Sequence, residues 1–105
     1  MLFKRNGSKD YKRRLEAAKK AADHPVKYVT ERVGDTDEVI GRDGAIALRN
    51  DELIVFASQD ILFRCDIAEV DLSELLSKDG VIVKGPDKER GGEIRTIIVY
   101  YVYYR

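Results

Sequence analysis

The residues that could do chemistry are few. Cys65 is the only cysteine and His24 the only histidine. A cysteine nucleophile needs a neighbouring base to form its thiolate. Forty-one positions separate the two, and nothing in the sequence brings them together. Cys65 lies in the strand-like run "ILFRCDI", where a free cysteine serves as a small buried hydrophobe. One histidine and one cysteine also exclude most triads and most nitrogen/sulfur metal sites.

"DTDEVIG" opens like a calcium loop, with Asp35 and Asp37 at alternate positions. Its glycine, however, comes seventh instead of sixth, and Ile46 stands where the twelfth-place glutamate belongs. "GPDKERGGE" has glycines and a lysine but not phosphate-loop spacing, so it reads as a solvated hairpin loop. The remaining carboxylates sit in turns or beside bases. The expectation is a non-enzymatic protein with no metal, no cofactor and no evident small-molecule substrate.

Charge carries a clearer signal. The chain has no net charge, but residues 1–28 hold nine bases against three acids, leaving the remainder acidic by the same margin. The basic segment is "SKDYKRRLEAAKKAAD", read as a helix over 8–24 that is capped by Ser8 and stopped by Pro25. Tyr11, Leu15, Ala18 and Ala22 form a narrow apolar stripe at helical spacing. Lys12, Arg13, Arg14, Lys19 and Lys20 make a candidate anion-binding face. An anionic membrane surface is the alternative partner this face suggests. Only Tyr11 interleaves aromatic character among the bases, which argues against nucleic acid.

From residue 26 to 105 the pattern is β-rich. "VKYVTERV" alternates loosely, "GDTDE" reads as an acidic loop, and Asp43-Gly44 reads as a turn. "AIALR" and "LIVFA" flank Asn50-Asp51-Glu52 as a hairpin, and Ser58-Gln59-Asp60 turns the chain into "ILFRCDI". "AEVDLSELLSKDG" suits a helical turn through Leu72, Leu75 and Leu76 or a strand followed by a loop. "VIVKG" and the long "IRTIIVYYVYYR" complete the set. The fold class expected is α+β: an N-terminal helix, then a mainly antiparallel small β-barrel or curved sheet, in one domain of 105 residues. No apolar run approaches the length of a membrane-spanning helix, the start lacks a signal-peptide core, and a lone cysteine suits a reducing compartment, so a cytoplasmic location is expected.

Residues 43–70, "DGAIALRNDELIVFASQDILFRCDIAEV", resemble the middle of the PH-like superfamily, especially GRAM-type and bacterial PH-like domains. Gly44, Ile46, Leu48, Leu53, Ile54, Phe56, Phe63, Ile67 and Val70 carry the shared hydrophobic rhythm. The resemblance implies a small barrel plugged at one end by a helix, a place the N-terminal helix is expected to fill. It also implies a non-catalytic adaptor or assembly role. The acidic Gly34–Glu38 loop departs from the basic loop of phosphoinositide-binding members.

The last strand is apolar on both faces. Ile97, Val99, Tyr101 and Tyr103 share one, and Ile98, Tyr100, Val102 and Tyr104 the other. The first set is the candidate interaction surface. It is to be covered by the helix, by a protein partner, or by a second copy of the chain that packs on it or extends the sheet from that strand.

Overall fold

The computed structural model describes residues 9–102. One helix, α1 (Lys9–Ala22), precedes seven strands: β1 (Val26–Val33), β2 (Thr36–Arg49), β3 (Glu52–Ala57), β4 (Asp60–Asp66), β5 (Asp71–Glu74), β6 (Gly80–Asp87) and β7 (Glu93–Tyr101). All pair antiparallel in one sheet of order β4-β3-β2-β1-β7-β6-β5. The α+β class and the curved sheet are as expected. The sheet does not close through strand pairing, because β4 and β5 are its edges.

Turn chemistry sets the hairpins. Asn50-Asp51 and Ser58-Gln59 each have positive φ at both positions, the two-residue geometry that matches strand twist. The "GDTDE" loop is tighter than expected. Gly34-Asp35 alone turns the chain, while Thr36, Asp37 and Glu38 belong to β2, where Asp37 accepts from Arg32 Nε across the hairpin at 2.9 Å.

Asp43-Gly44 is not a turn. It lies inside β2 where the strand bends and changes partner: the first half pairs with β1, the second with β3, and Gly44 faces both Val26 and Ala57. A Cβ on Gly44 would stand 1.8 Å from the carbonyl oxygen of Phe56. "AEVDLSELLSKDG" resolves into the short strand β5 and a turn, with Leu72 half-buried and Leu76 exposed.

The inner face of the curled sheet holds the core. Phe63, Leu53, Ile67 and Ile97 are among its largest fully buried side chains, each contributing about 1.5–3 kcal/mol. α1 lies across the opening between β2 and β5. Its small residues Ala18 and Ala21 enter the core, and Tyr11 and Leu15 pack against it. Two polar ties fix the helix: Tyr11 Oη donates to Asp51 Oδ1 at 3.0 Å, and Arg14 Nη1 donates to the Val70 carbonyl and to Asp71. No helix among the described residues is long and apolar enough to cross a membrane.

Candidate functional site

Ile97 and Val99 are wholly buried and Tyr101 nearly so, all in the core cluster that includes Ala18 and Ala21 of α1. The ring of His24, just beyond the helix, stacks on Tyr101 at 4.1 Å. This face is covered from within the chain, so it offers no free contact surface. Tyr103 lies outside the described residues. Extension of the sheet from β7 is also excluded by position, because β1 and β6 flank it on both sides.

The opposite face of β7 lies outside the core cluster, with Ile98 itself 3% exposed and Tyr100 half-buried. Two cross-strand rows run over four strands there. Ile82, Ile98, Thr30 and Val39 form one, and Gly80, Tyr100, Tyr28 and Arg42 the next. The Tyr28 and Tyr100 rings meet at 4.6 Å, and the Arg42 guanidinium sits 6.0 Å above the Tyr28 ring. Both tyrosines are half-buried and Val39 is 48% exposed. Desolvation, the largest cause, raises the Tyr100 hydroxyl above its ordinary value. Sequence parity pairs Ile98 with Tyr100 but does not say which face is outer.

Thr30, in the middle of the first row, is buried, and its Oγ1 has no hydrogen-bond partner among the described residues. Burying a hydroxyl without a partner is unfavourable. Thr30→Val should therefore leave stability unchanged or raise it by up to about 1 kcal/mol in urea unfolding.

The helix face divides. Lys12, Arg13, Lys19 and Lys20 are exposed, with Arg13 held by Asp10 at 2.8 Å. Arg14 turns into the body and is bound to Asp10, Asp71 and the Val70 carbonyl, so it leaves the anion-binding face and anchors the helix instead.

The polar groups with the greatest burial were not legible as a site. Asp87 is 0% and Arg95 4% exposed. Arg95 donates twice to Glu31, at 2.8 and 2.7 Å, once to Asp87 at 2.5 Å and once to the Leu62 carbonyl at 2.9 Å. Asp87 also accepts from the backbone N–H of Arg64 and of Glu89. The charged loop expected at "GPDKERGGE" is therefore only partly solvated: Asp87 is internal and caps a 3-10 turn over Lys88–Arg90. The Arg95 guanidinium holds the Glu31 carboxyl below its usual range, and Glu31 in turn raises Arg95. Beside this group, Lys88 bridges Glu52 and Asp66 at 2.6 and 2.7 Å, and Arg64 joins Glu52 to Glu89.

These contacts seal one sheet edge. Arg64 N–H and the Leu62 carbonyl belong to β4, and Asp87 and Arg95 satisfy them from β6 and β7. Cys65 packs at the same seam, where a Cβ on Gly85 would stand 2.8 Å from its Sγ. Burial pushes the thiol up to about 12, so it stays protonated and inert at neutral pH. Comparison with protein families, curated proteins and solved structures returns no match. The functional reading rests on this geometry.

Proposed function

We propose that the chain is a non-catalytic interaction and assembly module of PH/GRAM-like type, and that it associates with a second copy of itself through the outer face of β1, β7, β6 and β2. The observation that carries this reading is the half-buried Tyr28–Tyr100 pair, with exposed Arg42 over the Tyr28 ring and Val39 48% exposed beside it. Tyrosine and arginine beside aliphatic residues are the side chains enriched at protein interfaces. A chain without net charge adds little general repulsion between copies. The PH-like part draws support from α1 lying across the open side of the sheet, the place a plugging helix takes in that resemblance.

The non-catalytic part draws support from Cys65, which is buried and protonated, and from carboxylates already held by Arg and Lys partners. The alternative, peripheral binding to an anionic membrane, keeps Lys12, Arg13, Lys19 and Lys20 but loses Arg14 to helix anchoring.

Sedimentation tests the assembly reading. The native chain should associate as concentration rises, and Tyr28→Ser with Tyr100→Ser should weaken association by about tenfold or more while the fold persists. A native chain that stays monomeric at high micromolar concentration overturns the reading. So does association indifferent to both substitutions.

A further inference from the structure

The two edges of the sheet are treated differently. On β4, the outward Arg64 N–H meets Asp87, the Leu62 carbonyl meets Arg95, and the Asp66 carbonyl accepts from Glu69 and Val70. On the other side, Leu75 N–H donates to the Gly80 carbonyl at 3.0 Å, in register with the β5–β6 ladder. Alternation along an antiparallel pair then directs the backbone groups of Ser73 and Asp71 to β6. Those of Leu72 and Glu74 point away from it. Arg14 covers the carbonyl of Val70, one step before β5, and no hydrogen bond within the described residues meets the outward groups of Leu72 and Glu74.

That uncovered edge borders a groove. The Leu72 and Glu74 side chains share a cavity of about 170 Å³ with Ala17, Lys20, Ala21 and His24. A second hollow of about 470 Å³ continues it past Ala17 and Leu72 to Arg13 and Ser73. One wall is therefore an unpaired strand edge, which brings the Asp71 and Glu74 carboxylates, and the other is α1, with small alanines at its base and Arg13, Arg14 and Lys20 along its rim. Within Asp10–Ala22 the helix carries five bases and two acids.

We infer that this groove takes a short extended acidic segment of another protein, added to the sheet as a strand along β5. Backbone N–H and C=O groups of the segment pair with those of Leu72 and Glu74. Its alternate side chains point towards α1, where acidic ones meet Arg13 and Lys20 and a compact apolar one enters the cavity beside Ala17 and Ala21. The site lies apart from the Tyr28–Tyr100 face, so either proposal can fail without the other.

A random peptide library displayed on phage, selected against the full chain, is the probe. Selected peptides should be rich in Asp and Glu, and the synthetic form of the strongest should perturb the amide resonances of Leu72 and Glu74. Glu74→Pro removes an outward N–H but leaves the β5–β6 ladder intact, as proline on an edge strand can. It should weaken binding by about tenfold or more. N-methylation of alternate amides in the peptide should do the same with the native chain, which keeps the test valid if the proline variant does not fold. Lys20→Glu should also weaken binding, and Tyr28→Ser with Tyr100→Ser should not. Selection of basic peptides, resonance shifts centred elsewhere, binding indifferent to N-methylation, or no peptide recovered overturns the inference. So does a chain that binds anionic vesicles through Lys20 and no peptide, or a groove filled by a second copy of the chain.

Discussion

Arg95→Met should destabilise the protein by about 3–5 kcal/mol, read by chemical denaturation, with no change in the sheet order of any folded remnant. Among the described residues, the arginine is the only cation that the hydrogen bonds place against the Asp87 carboxylate, which is 0% exposed. Its removal leaves the buried Asp87 carboxyl without this partner, strips one partner from the Leu62 carbonyl, and releases Glu31. The effect exceeds that of losing any surface ion pair, such as Arg13–Asp10, where the median value is about 0–1 kcal/mol. The pH dependence follows from Glu31. Its folded-state pKa is depressed below the ordinary 4.5, so the stabilisation is present above about pH 4.5 and fades as pH falls through the folded value. Arg95→Met should flatten that acid limb as well as lower the plateau. A variant that loses less than about 1 kcal/mol would show that β4 is not sealed through this residue.

Gly44→Ala should be nearly as damaging, at about 3 kcal/mol or more in thermal unfolding. The added methyl would sit 1.8 Å from the Phe56 carbonyl oxygen, 2.7 Å from its carbon and 2.8 Å from the Ala57 Cα, all backbone atoms that no rotamer change can move. Gly34→Ala is the comparison. Gly34 has φ +62 and open space around it, so alanine there meets only the left-handed backbone strain of about 1–2 kcal/mol. The order of the two effects separates a steric bend in β2 from an ordinary turn glycine.

The same glycine explains where sequence reading stopped. Asp43-Gly44 has the composition of a turn, and Asp43 does take a positive φ. Pairing with β1 on one side and β3 on the other overrides the local signal and keeps the strand continuous. The hairpins at Asn50-Asp51 and Ser58-Gln59 were legible because turn chemistry and alternation agreed there. Leu72, Leu75 and Leu76 fit two periods in too few residues, and long-range pairing with β6 decided for a strand. The buried ion group did leave a trace. Arg95 shares its face with Ile97, Val99 and Tyr101, so a charge stood on the side of the strand that enters the core. Of its acidic partners, Asp87 lies eight residues away across the β6–β7 hairpin, while Glu31 is remote in sequence and joined only by the folded sheet. Which cover the Ile97, Val99 and Tyr101 face takes was open for a related reason: alternation fixes which residues share a face, and only the packing of α1 shows what lies over it.

A dilution series followed by amide resonances of the native chain tests association through the outer face of β7 most directly. The predicted result is a set of concentration-dependent shifts centred on Tyr28, Ile82, Ile98 and Tyr100, absent when Tyr28→Ser and Tyr100→Ser are combined. Shifts confined to α1, or none at all up to millimolar concentration, would contradict it.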